Sequence, residues 1–250
     1  MLSLFPSLPD IFSLSVLTLV LFVAGYVRGF SGFGFSAIVV SSMALIMDPV
    51  VIIAMVMVFE ICASVFQIKN SYRHIDKPQV GLLLAGAVIG MPIGVAALVT
   101  LDVDVVRIFI SLLILSLCLV LLSGWTLKKR PGALGQFIVG AGSGLANSAA
   151  IGGLPVGLFL TAQNKEPAHF RANMIAYLFT LDIIGIGIMA YHDRFSTDIF
   201  VTAILLLPVL FAGIYFGSRH FFSTPSTSFR RLVIILLITL SLLGLAKSFL

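Results

Sequence analysis

Two glycine- and serine-rich stretches interrupt apolar segments of this chain, one in each half. Residues 29–36 read GFSGFGFS, and residues 140–153 read GAGSGLANSAAIGG. A helix that breaks inside a membrane frees backbone N–H and C=O groups, to which hydrocarbon offers no hydrogen-bond partner. Such breaks are therefore tolerated only where they line a cavity or pack against protein, and paired breaks are typical of substrate sites in membrane carriers.

The composition predicts an integral membrane protein. Of the 250 residues, 60% are hydrophobic and only 10% are charged, and a water-soluble globule of this composition would expose too much apolar surface. A membrane-spanning helix needs about 20 mostly apolar residues. Such runs lie near residues 11–28, 49–68, 79–99, 104–125, 134–162, 172–191, 199–217 and 232–250.

The charged residues indicate orientation in the membrane rather than a charged macromolecular partner. The net charge of +5 would favour nucleic acid in a soluble protein, but here the cations lie in short loops. We therefore expect the lipid bilayer as the surroundings and no nucleic-acid partner. Cys62 and Cys118 lie within apolar runs, so neither a disulfide framework nor a metal site is predicted. No cofactor is expected.

Loop charges predict the topology. Positive charge predominates in residues 69–77, 128–130 and 165–171, which we place in the cytoplasm. Acidic residues predominate in residues 102–107 and 193–198, which we place outside.

Both glycine-rich stretches then lie in segments that enter the membrane and return. Residues 134–162 lie between two predicted cytoplasmic loops, and residues 11–47 lie between predicted external positions. The predicted fold is all-α, with two inverted repeats, residues 1–125 and residues 126–250, in a single membrane domain. Each repeat has one re-entrant or broken-helix hairpin plus three transmembrane helices. If each break instead belongs to a helix that crosses once, the chain has eight spans and parallel repeats.

Matching residues in the two halves support a repeat. Glu60 and Asp182 fall in the middle of corresponding spans, and a Gly-x-x-x-Gly pair occurs at residues 90–94 and again at residues 213–217. Small residues four apart allow helices to approach closely, so we interpret these glycine pairs as packing contacts.

The second arm of each hairpin begins at the break, at about Phe35 in the first and about Ala149 in the second, and its N-terminus faces the membrane interior. Unpaired N–H groups and the positive end of the helix dipole gather there, which favours a small anionic substrate. The candidate substrate-binding residues are Arg28, Ser31, Gly32, Gly34, Ser36, Ser143, Gly144, Asn147, Ser148 and Gly153. In the alternative interpretation, the glycines only permit tight turns and the hydroxyls cap helix ends.

Side chains around the first break leave two interpretations open. Arg28 either counters the charge of a bound anion or, if the first arm spans the bilayer, extends to the membrane surface. Phe30, Phe33 and Phe35 either form a wall of the site or pack in the core. Arg171, at the start of a later span, is interpreted as an orientation charge.

Glu60 and Asp182 are the residues whose burial costs most, about 2.5 to 3.5 kcal/mol each on membrane-insertion scales. In one interpretation, each takes up a proton and couples transport to a proton gradient. In the other, each is paired structurally with a hydroxyl, a backbone group or Arg28. Because the two carboxylates occupy matching positions, we favour the coupling role.

The sequence predicts no enzyme activity. Residues 29–32 match the G-x-S-G around the nucleophile of rhomboid intramembrane proteases, but no histidine is placed to serve as its base. Neither an H-E-x-x-H motif nor a P-loop occurs. An anion channel and a noncatalytic membrane scaffold remain as alternatives to a carrier.

The sequence resembles the TauE/SafE sulfite exporter family, also called the toluene sulfonate uptake permease family. The resemblance rests on the two glycine-rich stretches, the Asp48-Pro49 and Glu166-Pro167 helix starts, and the G-x-P-x-G of residues 90–94. It implies a multi-pass transporter of the cell (inner) membrane that moves sulfite, organosulfonates or related sulfur-containing anions. It also implies that the glycine-rich stretches lie at the site.

The predicted topology can be tested with a reporter fused after Leu250. Inverted repeats place this terminus outside the cytoplasm, because three crossings follow each hairpin. Accessibility of the fused reporter to a membrane-impermeant label checks this expectation. A reporter found in the cytoplasm would favour eight spans and parallel repeats.

Overall fold

A computed structural model describes residues 11–68, 72–123, 131–163, 166–192 and 197–221, together with residues 235, 238 and 242. These residues form nine α-helices and one short 3-10 turn, Tyr72–His74, and no strand occurs among them. The helices are α1 (Ile11–Ser31), α2 (Phe35–Met43), α3 (Pro49–Ile68), α4 (Lys77–Thr100), α5 (Val103–Leu122), α6 (Ala133–Asn147), α7 (Gly153–Ala162), α8 (Pro167–Tyr191) and α9 (Thr197–Phe221).

Five of these helices, α1, α3, α4, α8 and α9, are long and apolar enough to cross a membrane. The prediction of an all-α polytopic membrane protein is therefore confirmed. Helix α5 covers most of the run predicted at residues 104–125. The run predicted at residues 232–250 lies almost wholly outside the described residues.

The first predicted break is present, and a glycine closes it. Helix α1 ends at Ser31, and the N–H of Gly32 donates to the carbonyl of Arg28 at 2.8 Å. Gly32 has φ 82° and Gly34 has φ 88°, in the left-handed region that glycine enters without steric cost. The chain therefore turns at Gly32 and starts α2 at Phe35.

The second break is closed by a Schellman motif. The N–H of Ile151 donates to the carbonyl of Ala146 at 3.2 Å, and that of Ala150 donates to the carbonyl of Asn147 at 2.9 Å. Ala150 has φ 55°, which costs an L-residue about 1 kcal/mol where glycine would be usual. The second arm was predicted from about Ala149, but α7 begins at Gly153 because this capping turn occupies the residues between.

The first arms of the two hairpins differ in length. Helix α1 has 21 residues and is about 31 Å long, enough to cross the hydrocarbon core, whereas α6 has 15 residues and is about 22 Å long. The first hairpin is therefore a nearly full-length helix followed by a short returning one. The second hairpin has two short arms.

Each first arm packs on a helix from the other half of the chain. Helix α1 lies along α9 and α6 lies along α4, while α3 and α8 pack together. A Cβ atom at Gly213 would overlap the backbone of Phe22 and Tyr26, and one at Gly90 would overlap the backbone of Ala141 and Leu145. The interpretation of the glycine pairs as packing contacts is therefore confirmed. The division into two repeats, residues 1–125 and residues 126–250, stays a prediction.

Replacing Gly90 with alanine should destabilise the protein by about 1 to 3 kcal/mol, because the added methyl group overlaps the backbone of α6. Gly81, on the same helix, has no neighbouring atom within 4 Å of a built Cβ, so Gly81→Ala is the matched control and should be neutral or slightly stabilising. Thermal unfolding in detergent measures both. Equal melting temperatures for the two variants would contradict the close packing of α4 against α6.

Candidate functional site

Two buried carboxylates occupy the central helix pair. Glu60 lies in α3 and Asp182 in α8, and each residue is only 1% exposed. The two carboxylates are close enough to interact electrostatically. The two carboxylates, whose burial in a membrane is costly, therefore lie where the two halves of the chain meet.

Arg28 supplies a positive charge next to the carboxylate of Glu60. Its side chain is 0% exposed, and its Nη1 forms an ion pair with Oε2 of Glu60. Its Nη2 donates to the hydroxyl of Ser64 at 2.9 Å. The interpretation in which Arg28 extends to the membrane surface is wrong, because its side chain is fully buried and contacts a carboxylate and a hydroxyl inside the protein. Pairing with Arg28, one of the two interpretations of Glu60, is present.

The short arm of the first hairpin contacts the same carboxylate. Ser36, in the first turn of α2, presents its hydroxyl and its backbone N–H to Glu60. The break at Gly32 and Gly34 is what allows both arms to reach α3, since α1 carries Arg28 and α2 carries Ser36. Two of the predicted binding residues thus meet at Glu60.

The second hairpin forms a comparable but uncharged arrangement around Asp182. The side-chain amide of Asn147 donates to Oδ1 of Asp182 at 3.0 Å, and its oxygen accepts from the N–H of Gly152 at 3.2 Å. The hydroxyl of Ser143 donates to the carbonyl of Gly152 at 2.6 Å and accepts from the hydroxyl of Tyr177 at 2.8 Å. These bonds hold the break rigidly against α8.

Arg28 and Asn147 occupy equivalent positions in the two hairpins. Tyr26 contacts Gly213 as Leu145 contacts Gly90, and Arg28 and Asn147 each lie two residues further along. Each then contacts the carboxylate in the middle of a central helix. We call Arg28, Glu60, Asn147 and Asp182 the polar centre. It is quasi-symmetric in position and asymmetric in charge, because one half contributes a cation where the other contributes an amide.

Arg171 lies against the tip of the first break. A Cβ atom at Gly32 would lie 3.1 Å from Cγ of Arg171. Its Nη2 donates to the hydroxyl of Ser218 at 3.2 Å, and that hydroxyl donates to the carbonyl of Gly29 at 3.2 Å. Arg171 also interacts electrostatically with Arg28. This arginine, interpreted from sequence only as an orientation charge, therefore adds positive potential beside the polar centre.

Several predicted binding residues are not brought to the polar centre. Gly144 and Ser148 lie on the face of α6 that packs against α4, next to Ala87 and Gly94. Gly153 starts α7 against the side chain of Leu178. The side chain of Ser31 lies outside the described part of the chain.

Aromatic side chains close the tip of the first break. The ring of Phe33 packs edge-to-face on Phe170, with 5.6 Å between centroids, and lies over Gly157 of α7. Phe35 packs similarly on Phe59 at 6.3 Å and is fully buried. Phe33 therefore forms a wall at the break, whereas Phe35 belongs to the core.

Neither Ser64 nor Tyr177 was predicted as part of the site, although both bond to its residues. Ser64 lies four residues after Glu60, on the same face of α3, and Tyr177 lies five residues before Asp182 on α8. The helical spacing of polar residues in otherwise apolar spans is the signal that identifies Ser64. Within the described residues, no group of three histidine, cysteine or carboxylate side chains could hold a metal ion.

The fold and the polar centre define a polytopic membrane protein with interrupted helices around a buried charged site, the architecture of membrane transporters. The family model described as "Sulfite exporter TauE/SafE" matches residues 17–243, and the chain belongs to this transporter family. The resemblance drawn from the glycine-rich stretches is thereby confirmed. No curated protein and no solved structure matches the chain.

Replacing Glu60 and replacing Arg28 should lower the free energy of unfolding by unequal amounts. Glu60→Leu leaves an arginine that cannot lose its charge, and we expect it to lower the free energy of unfolding by about 3 to 5 kcal/mol. Arg28→Met should cost less, because a glutamate can take up a proton. The double variant Arg28→Met/Glu60→Leu should recover most of the loss. Reversible unfolding in mixed micelles measures all three, and strictly additive losses would contradict the pairing.

Proposed function

We propose that this chain is a secondary transporter of a small sulfur-containing anion, such as sulfite or an organosulfonate. It works by alternating access in the cell (inner) membrane, as an exporter or a permease, and it has no enzyme activity. The observation that carries the proposal is the complete burial of Arg28 near the end of the interrupted helix α1. Membership of the sulfite exporter family supports the same substrate class.

The ends of the interrupted helices favour an anion. The N-cap residues of the two short helices, Gly34 of α2 and Gly152 of α7, have no side chain that could cap the helix, and at α2 the carboxylate of Glu60 faces the N–H of Ser36. The first N–H groups and the positive dipole end of each short helix can therefore act on a ligand. Arg28 and Arg171 add formal positive charge near the first of these ends.

The chemistry of arginine supports an oxyanion rather than a halide. A guanidinium presents its N–H donors in a planar fork that matches pairs of oxygens on one atom. Sulfite and sulfonates both present oxygens in that way. Carboxylates share this property, so they belong in any substrate screen as competitors.

The reciprocal packing suggests which parts move. Close glycine contacts join α1 to α9 and α4 to α6, and such contacts make each pair a rigid unit. The carboxylates of the polar centre lie on α3 and α8, whereas Arg28 lies on α1 and Asn147 on α6, one from each pair. Rocking one pair against the other would expose the centre to one side of the membrane and then to the other.

Glu60 and Asp182 are the proposed coupling residues. The polar centre holds one arginine and two carboxylates, so an anion enters a site where its charge must be balanced. Uptake of a proton by a carboxylate provides that balance at the lowest electrostatic cost. On this basis the anion and a proton move together.

Uptake of labelled sulfite and organosulfonate into proteoliposomes tests the proposal. Arg28→Gln should reduce uptake by at least roughly 30-fold, because a buried charge contact is worth about 2 kcal/mol or more. Arg73→Gln, which removes an exposed cation, is the matched control and should leave uptake within about twofold.

Accelerated exchange in the presence of unlabelled anion on the opposite side is expected of a carrier. Uptake without such counterflow would indicate an anion channel. If no anion were taken up, the noncatalytic membrane scaffold would be the favoured alternative.

A further inference from the structure

The ion pair between Arg28 and Glu60 uses the cation that an anionic substrate would need. In the structure, Nη1 of Arg28 is paired with Glu60 and Nη2 is bonded to Ser64. The whole side chain is buried, so water cannot separate the guanidinium from its carboxylate. Nε of Arg28 has no hydrogen-bond partner among the described residues, but the charge of a second anion at the guanidinium is repelled by Glu60 until that carboxylate is protonated or leaves.

The charges that face Glu60 limit how this exchange can occur. Arg28 faces it from α1, and Asp182 interacts with both from α8. Arg171, also on α8, acts on Arg28. Helix α2 contributes no titratable side chain, and the charged residues of α5 and α9 whose side chains the structure describes, Asp104 and Arg219, are exposed.

We infer that the substrate anion and the carboxylate of Glu60 compete for Arg28, and that protonation of Glu60 releases Arg28 to bind the anion. The inference rests on the proposed function and assigns the coupling step to one residue. A proton from water joins a carboxylate oxygen of Glu60, the ion pair opens, and the anion takes the place of the carboxylate at the guanidinium. On release of the anion the proton returns to water and the pair forms again.

This exchange keeps the net charge of the buried centre constant for a monoanion. One anionic partner of Arg28 replaces another, so the arginine is never left unpaired in a low-dielectric interior, where a lone charge would cost several kcal/mol. Ser36 supports the step. Its hydroxyl lies at the Glu60 carboxyl and can either donate to the carboxylate or accept from the protonated acid.

Asp182 has a different part in this scheme. Its Oδ1 accepts from the neutral amide of Asn147, and its Oδ2 has no hydrogen-bond partner among the described residues. Protonation of Asp182 therefore releases no cation. The equivalent position of Asn147 and Arg28 makes Asp182→Asn the matched comparison for Glu60→Gln, because each variant neutralises the carboxylate that one hairpin contacts.

Binding of methanesulfonate to the purified full-length protein, measured between pH 5.5 and 8, tests the inference. Methanesulfonate keeps its single negative charge across this range, so any pH dependence belongs to the protein. Wild-type affinity should fall as pH rises, with a slope approaching tenfold per pH unit when one proton accompanies each anion. Glu60→Gln should bind with little pH dependence and, at pH 8, roughly tenfold or more tightly than wild type. Asp182→Asn should retain the pH dependence.

Calorimetry on the wild type provides a second measurement that needs no variant. In buffers of different ionisation enthalpy, binding should take up close to one proton per anion at pH 8. Zero proton uptake, an unchanged pH dependence in Glu60→Gln, or weaker binding by that variant at every pH would overturn the competition for Arg28. Failure of the wild type to bind methanesulfonate or sulfite at any pH would instead overturn the proposed function itself.

Discussion

The buried ion pair between Arg28 and Glu60 is the interaction on which the arrangement of this protein depends. The backbone carbonyl of Arg28 accepts the hydrogen bond from Gly32 that ends α1, and its side chain holds α3 through Glu60 and Ser64. One residue therefore both closes the break and joins the hairpin to the central helix pair. Two charges inside a membrane protein are costly and are stabilised only when they are paired and hydrogen-bonded. The position of the break is thus linked to the position of the charge.

The surrounding helices position this centre through close backbone contact rather than through hydrophobic burial. Lipid tails are as apolar as leucine, so membrane helices associate by tight packing and by polar contacts. Glycines supply that packing at α1 against α9 and at α4 against α6. Each of these contacts joins a hairpin from one half to a helix from the other. The two halves are consequently interlocked, and the polar centre forms where their central helices, α3 and α8, meet.

The helices and breaks of this fold were predicted from the sequence more fully than the contacts between them. The breaks, the apolar spans up to α9 and the central location of Glu60 and Asp182 follow from local composition and helical spacing, and the described residues contain them. The pairing of Arg28 with Glu60 was only one of two interpretations, since contacts between distant segments depend on tertiary packing that periodicity does not encode. Gly144 illustrates the limit, because a glycine in a glycine-rich stretch can serve a turn, a ligand or a helix contact. Its spacing of four from Gly140 matches the packing role that both residues have against α4.

The most direct test of the account is an experimental structure of the protein with an organosulfonate bound at pH 5.5. The account predicts the sulfonate group at the guanidinium of Arg28, near the N-terminus of α2, with the Glu60 carboxyl displaced from Arg28. Density for the ligand only outside the two interrupted helices, with the ion pair intact, would contradict it.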